Sequence, residues 1–137
     1  MTSRDIKREL REYWYITQHL CNLAERYNRL RAQAEKVTPA YSLAPGGSGS
    51  QERMADQVNT LVDMERKYQA EFVAARAAMH RVEQLIASLD DYTQRVILED
   101  RYLEFMKWEA IAMKHSYTYR RVIQLHGEAL RILSAQK

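Results

Sequence analysis

Four side chains that can form hydrogen bonds with nucleic-acid bases lie close together near the C-terminus: Tyr119, Arg120, Arg121 and Gln124. An arginine guanidinium can donate two hydrogen bonds to the edge of a guanine, and a glutamine amide can pair twice with an adenine. A tyrosine can contact a phosphate or the methyl group of a thymine. This group is suited to contact with DNA if one helix holds all four side chains on an exposed face.

Three helical segments near the C-terminus must position these side chains. The first two are RVILEDRYL at residues 95–103 and WEAIAMK at residues 108–114. A third runs from residue 118 to about residue 133, after a link of three residues. Two short helices and a tight turn that leads into a longer basic helix predict a helix-turn-helix. The second helix of that motif can enter the major groove of DNA.

The spacing of apolar residues indicates which face of the third segment is buried. Thr118 can cap this helix, because its hydroxyl accepts a hydrogen bond from an N–H group of the first turn. Asp90 or Asp91 can cap the first segment in the same way. The residues predicted to face inward are Trp108, Ile111 and Ala112 in the second segment, and Val122, Leu125, Ala129 and either Ile132 or Leu133 in the third. The four hydrogen-bonding side chains then remain on the outer face of the first turns.

The distribution of charge favours contact with phosphate groups. Residues 90–113 have three basic and six acidic side chains, whereas residues 114–137 have five basic and one acidic. The basic excess therefore lies on the third segment, as attraction by phosphates requires. A solvated helix face is the alternative interpretation of so modest an excess. The candidate DNA-binding residues are Lys114, Thr118, Tyr119, Arg120, Arg121, Gln124 and Arg131.

The residue pattern does not point to catalysis or to a bound cofactor. The four histidines are scattered and lack cysteine partners or the spacing of a metal motif, so we expect no metal site. Asp90 and Asp91 are better explained as a helix cap than as a catalytic pair. The glycine-rich run at residues 46–49 lacks the Gly-Lys-Ser/Thr ending and the preceding strand of a phosphate-binding loop. We therefore expect a non-enzyme without a cofactor.

Cysteine content and hydropathy suggest the compartment. Cys21 is the single cysteine, which excludes an internal disulfide and suits a reducing environment. No apolar run approaches the length of a membrane span, and the N-terminal sequence MTSRDIKREL lacks the apolar core of a signal peptide. We expect a soluble cytoplasmic protein with no membrane partner.

The first two thirds of the chain have the pattern of two long helices. Apolar or small residues recur at alternating steps of four and three from Ile6 to Ala34, interrupted by Arg31, and again from Met54 to Leu89, with one polar exception at Glu65. The segment between them, VTPAYSLAPGGSGS at residues 37–50, contains two prolines, three glycines and three serines. This composition predicts a flexible loop. The simplest fold is an antiparallel hairpin in which each helix covers the apolar stripe of the other.

The first helix carries more aromatic surface than one seam can bury. Trp14, Tyr15 and Ile16 are adjacent, so they cannot all face the same neighbour. A homo-oligomer formed through the hairpin, or a protein partner that covers this surface, is therefore a reasonable hypothesis.

Several short motifs spread along the chain occur together in one known family. They are the loop VTPAYSLAPGGSGS, the run SLDD before the first short segment, RYLE, W-E-x-I-A and R-V-x-x-L-H-G-x-A-L. With these motifs nearly the whole chain resembles the RinA/ArpU-like phage transcriptional regulators. The C-terminal segments also look like the helix-turn-helix of region 4 in sigma-70-family factors. The resemblance implies a phage or prophage regulator that activates late packaging and morphogenesis genes in the bacterial cytoplasm, with host RNA polymerase as a candidate partner.

A few positions depart from the family pattern. Asp100 stands where an apolar residue is usual, and Phe105 where glycine is common. His115 and Ser116 replace the usual Leu-Gly of the turn. A non-glycine residue in a left-handed conformation would cost about 1 kcal/mol there, which the fold can tolerate. Gln124 stands where a basic residue is frequent, so we expect a different target sequence.

These observations predict an all-α protein. A long antiparallel helical hairpin occupies residues 1–89, and a helix-turn-helix domain that binds double-stranded DNA occupies residues 90–137. The predicted function is sequence-specific regulation of transcription. The alternative is a DNA-packaging or structural adaptor protein that resembles small terminase subunits and uses the hairpin for assembly.

Overall fold

A computed structural model describes residues 1–43 and 48–136. For residues 37–43 and 48–50 it describes the backbone alone. Within these described residues five helices follow one another: α1 (Ser3–Leu43), α2 (Ser48–Ala87), α3 (Tyr92–Tyr102), α4 (Trp108–His115) and α5 (Tyr119–Gln136). The described ranges contain no strand. The predicted all-helical class is therefore confirmed, and the three short C-terminal helices begin and end within a few residues of the predicted positions.

Both long helices extend into the segment that the sequence predicts to be a loop. α1 continues to Leu43 and α2 begins at Ser48, so the prediction is wrong for residues 37–43 and 48–50. Residues 44–47, the remainder of the predicted loop, lie outside the described residues. The physical reason is that a proline removes one hydrogen bond of a helix and can kink it without ending it. α1 accordingly includes Pro39.

The chain divides into two compact units. The first combines Met1–Thr17 with Ala75–Lys137, and the second is Gln18–Ala74. The predicted border between residues 89 and 90 therefore lies inside the first unit. The reason is that the start of α1 and the end of α2 bury their apolar side chains in the same core as α3 and α5.

The main core of the first unit draws on four helices. Its fully buried side chains include Leu10 of α1, Val82 of α2, Leu98 of α3 and Leu133 of α5. Each such side chain contributes about 1.5 to 3 kcal/mol through removal of its apolar surface from water. The whole cluster is Ile6, Leu10, Val82, Leu85, Ile86, Leu89, Leu98, Tyr102, Ala129, Leu130 and Leu133. This shared core holds α5 to the ends of both long helices.

A second, smaller core joins α3, α4 and α5. Its members are Ile97, Ile111, Ala112, Val122 and Leu125, with Met106 and Trp108 packed against them. The predicted inward faces of α4 and α5 are therefore confirmed. Of the two alternatives for the last inward position of α5, Leu133 is buried and Ile132 is exposed. The outward side of α5 follows directly from this burial.

The second unit buries fewer residues of its predicted apolar stripes than the first unit does. Leu20, Ala24 and Tyr27 are half-buried in α1, but Met54, Val58 and Phe72 of α2 are exposed. The prediction that these three α2 residues are buried is wrong. The physical reason is that residues 18–74 contribute two helical segments, and a pair of helices without a third element leaves one side of each apolar stripe in water.

The ends of α3 and α4 explain the sharp turns of the first unit. The carboxylate of Asp91 accepts hydrogen bonds from the backbone N–H groups of Thr93 and Gln94, at 2.8 and 3.3 Å. Asp91, rather than Asp90, is therefore the cap of α3. Phe105 and Ser116 both have a φ of 58°, in the left-handed region that normally favours glycine. Ser116 ends α4 in this conformation, and its N–H group donates to the carbonyl oxygens of Ala112 and Met113.

The Ser116→Gly substitution should raise the free energy of unfolding by about 0.5 to 1 kcal/mol. Glycine removes the steric cost of a left-handed Cβ, and the added freedom of the unfolded chain offsets only part of that gain. Urea unfolding followed by circular dichroism measures the change. The matched control is Ala110→Gly, at an exposed position inside α4. That substitution should lower stability by about 1 kcal/mol. Equal shifts for the two variants would contradict the strain assigned to Ser116.

Candidate nucleic-acid interface

The N-terminal end of α5 presents the predicted base-contacting residues to solvent. The Oγ1 atom of Thr118 accepts a hydrogen bond from the backbone N–H of Arg121 at 3.1 Å, which caps the first turn as predicted. The side chains exposed on this helix include Tyr119, Arg120, Arg121, Gln124 and Arg131. The cap fixes the first turn through backbone atoms only, so it leaves the side chains of that turn available to a ligand.

The exposed residues of α5 form one continuous face. Arg120, Gln124 and Arg131 follow each other at intervals of four and seven residues, which place them on the same side of a helix. Gln124 and Arg131 line a shallow open groove with Gly127 and Glu128. The opposite side of α5 is anchored by side chains such as Val122, which is fully buried. A partner can therefore contact the outer face of α5 without disturbing the core.

Lys114 occupies a different environment from the residues of α5. Its Nζ atom lies 2.8 Å from Oδ1 of Asp100, in an ion pair with a carboxylate that is almost fully buried. Half of the Lys114 side chain is exposed. Asp100 therefore balances part of the lysine charge, so we expect Lys114 to attract a phosphate less strongly than Arg120 does.

Asp100 links α3 to the last turn of α4. Its second carboxylate oxygen lies 2.7 Å from Nε2 of His115. Burial alone would raise the pKa of this carboxyl, but the hydrogen bonds and positive charges of Lys114 and His115 outweigh burial and hold the pKa below its usual value. The carboxylate stays charged, and through it α3 holds the helix end that leads into the Ser116 turn.

A buried polar cluster holds α5 against α3 and α4. The hydroxyl of Tyr102 and Nε2 of His126 share a hydrogen bond of 2.6 Å. The ring of Trp108 meets the imidazole edge-to-face, with centroids 4.6 Å apart. The guanidinium of Arg101 in turn covers the ring of Trp108 at 4.5 Å. These contacts connect three helices around one imidazole.

Burial shifts the pKa of both members of the central hydrogen bond. It lowers the pKa of His126 to about 4, and the positive charges of Lys7, Arg101 and Arg11 act in the same direction. Burial also raises the pKa of Tyr102 to about 12. The imidazole and the phenol are therefore both neutral near pH 7, as a buried hydrogen bond between them requires.

Two further findings concern metals and membranes. Within residues 1–43 and 48–136, no three side chains of His, Cys, Asp or Glu come together in an arrangement that could hold a metal ion. In the same part of the chain, no helix is long and apolar enough to cross a membrane.

No protein-family model, curated protein or solved structure matches this chain at a significant level.

Two features of the site were not predicted from the sequence: the burial of His126 and the contacts of Asp100. Helical spacing could have identified the first of them. His126 lies at helical spacing between Val122 and Ala129, so the pattern of buried positions already included it. The contacts of Asp100 with Lys114 and His115 join residues 14 and 15 positions apart on different helices. Helical periodicity carries no information about pairs of that kind.

Proposed function

We propose that this protein is a sequence-specific DNA-binding regulator of transcription in which α4, the Ser116 turn and α5 form a helix-turn-helix. The observation that carries the proposal is the exposure of polar side chains on the first turns of α5. Arg120, Arg121 and Gln124 point to solvent there, next to a capped N-terminus, while the opposite face is held in the core. Recognition helices present their base-contacting side chains in this way.

The backbone supports the proposed likeness to RinA/ArpU-like regulators and to sigma region 4. Phe105 and Ser116 are the two positions where that pattern favours glycine, and both have positive φ angles. A glycine is favoured where the backbone is left-handed, so the two turns have the geometry that the family pattern would demand. We propose from this likeness a phage or prophage origin and activation of late genes in the bacterial cytoplasm.

The long helices are proposed to form an antiparallel hairpin that serves assembly or contact with host RNA polymerase. In the second unit, Nε2 of His19 lies 4.0 Å from Oε1 of Glu71. Further along the same helices, a common groove is lined by Ala24, Tyr27 and Asn28 of α1 and by Glu65, Tyr68 and Gln69 of α2. The residue numbers of the neighbours on α2 thus fall as those on α1 rise. This order is expected of two antiparallel helices.

Capture of genomic DNA tests the proposed function. The purified full chain is mixed with fragments of a phage or prophage genome that encodes it at about 150 mM salt, where non-specific binding to phosphate is weakened. We expect one or two sharp peaks upstream of packaging or late genes. Flat enrichment that disappears as salt rises would contradict sequence-specific recognition and leave α5 as a general DNA contact.

Exposed apolar side chains of α2 favour a second candidate, a packaging or structural adaptor that resembles small terminase subunits. Val58 and Val73 are 56% and 66% exposed in the second unit, a surface that assembly could cover. Sedimentation distinguishes the candidates, since a ring of eight or more subunits would favour the adaptor and a monomer or dimer the regulator.

A further inference from the structure

The first unit carries a cleft that DNA binding by α5 does not use. We call it the arginine–aromatic cleft; its lining is Arg11, Trp14, Tyr15, Arg101, Tyr102 and Phe105. Trp14 and Tyr15 are 41% and 60% exposed, and their rings meet edge-to-face at 5.0 Å. Two adjacent large aromatic side chains in water are costly unless they have a partner.

The apolar wall of the cleft is fixed by the core beneath it. Tyr102 is 4% exposed and belongs to the main core of the first unit. The ring of Phe105 packs on that of Tyr13, with centroids 5.4 Å apart. Arg101 is held by its contact with Trp108 and by donation to the carbonyl oxygen of Met106 at 3.0 Å. A ligand would therefore meet a largely preformed surface, which reduces the entropy lost on binding.

Positive charge borders the cleft along α1. An adjoining groove shares Arg11 and Tyr15 with the cleft, and its other lining residues are Arg4, Lys7, Arg8, Glu12 and Ile16. The carboxylate of Glu12 is paired with Arg81 at 3.6 Å, and Arg8 with Asp5 at 3.4 Å. Among the described residues, no carboxylate forms an ion pair with Arg4, Lys7 or Arg11. This border therefore has three positively charged side chains that no carboxylate of the described residues approaches within 4.0 Å.

We infer that the arginine–aromatic cleft binds a protein segment in which acidic side chains flank an aromatic or aliphatic anchor. Tryptophan, tyrosine and arginine are the residue types that dominate the energetic centres of protein interfaces. Here Trp14, Tyr15 and Arg11 occur together. The unbalanced charge along α1 selects an acidic partner, because complementary charge guides association and disfavours other ligands.

Other occupants fit these observations less well. A second copy of the chain on a two-fold axis would bring the same basic border against itself, and like charges repel. Duplex DNA binds through phosphate contacts with basic and small polar side chains, which leaves the exposed rings of Trp14 and Tyr15 without a role. Single-stranded nucleic acid can stack on aromatic rings, so it is included among the ligands of the test.

The test uses the full chain and three fluorescently labelled polymers of similar length. They are a random copolymer of glutamate and tyrosine, polyglutamate, and oligothymidylate. We expect the copolymer to bind about tenfold or more tightly than polyglutamate, since the tyrosines supply the anchor. Equal binding of the two polypeptides, or tighter binding of oligothymidylate, would overturn the inference.

Two double variants locate the binding site. Trp14→Ala with Tyr15→Ala should abolish the advantage of the copolymer over polyglutamate while leaving helical content and DNA binding unchanged. The matched control is Tyr92→Ala with Met113→Ala, which removes two side chains that are 77% and 84% exposed elsewhere in the first unit. A cleft variant that binds the copolymer like the control variant would refute the site. Sedimentation in which wild type is a dimer and the cleft variant a monomer would assign the cleft to a second copy instead.

Discussion

Replacing Arg120 and Arg121 together by alanine is expected to weaken the binding of a captured genomic fragment by about a hundredfold. Each arginine contributes roughly 1 to 3 kcal/mol when it contacts a base edge, and a tenfold change in affinity corresponds to about 1.4 kcal/mol. Both side chains are exposed, and the cap of α5 uses only the backbone N–H of Arg121. The fold should therefore be retained, with an unchanged circular dichroism spectrum.

The control for this prediction removes the same charge from another helix. Arg66 and Arg76 are exposed on α2, and their joint replacement by alanine also lowers the net charge by two. We expect that control to weaken binding only a few-fold, through the general attraction of phosphates. Equal losses for the two double variants, measured by fluorescence anisotropy at about 150 mM salt, would show that α5 does not read the sequence.

The stability of the protein is expected to fall by about 2 to 3 kcal/mol between pH 7.5 and pH 4 because of His126. Burial lowers the pKa of this imidazole in the folded state to about 4, whereas the ordinary value of 6.5 applies when the chain is unfolded. The unfolded state therefore binds the proton more readily. The contribution to stability is fully present above about pH 6.5 and is lost as the pH falls towards 4.

Urea unfolding at a series of pH values measures this loss. The His126→Phe variant, which lacks the titrating group, should show a much smaller decrease over the same range. His80 is exposed on α2, so the His80→Phe variant should keep the wild-type profile. Asp100 affects stability in a separate pH range. Its pKa is lowered in the folded state, so its contribution to stability is lost only below about pH 4. A wild-type profile that is flat above pH 4 would be inconsistent with the buried imidazole.

Much of the candidate interface could be predicted because α5 is amphipathic over its whole length. The burial of Val122, Leu125 and Ala129 follows from helical spacing, and the exposure of Arg120 and Gln124 is its complement. The cap at Thr118 follows from a local side-chain preference. Lys114 shows the limit of this reasoning. Its charge suggested a phosphate contact, but its Nζ atom lies against Asp100 of another helix.

Periodicity predicted less about the long helices. The heptad pattern correctly marks Ile6, Leu10 and Val82 as buried, yet it marks Val58 in the same way although that side chain is 56% exposed. The pattern states which residues share a face and not whether another element covers that face. The prolines, glycines and serines of residues 37–50 likewise predicted a loop from residue 37, whereas α1 continues to Leu43.

The sequence by itself determined the all-helical class, the approximate positions of α3 to α5, the Thr118 cap of α5 and the outward face of α5. These features depend on interactions between residues a few positions apart, which a linear pattern records. Only the tertiary structure decided that the ends of α1 and α2 share a core with the C-terminal helices. It alone brought Asp100 to Lys114 and His115, and Tyr102 to His126, and it placed Arg11 and Arg101 in the lining of one cleft. Such contacts depend on how whole helices pack, and the packing is chosen by the burial of the entire apolar surface rather than by any local spacing.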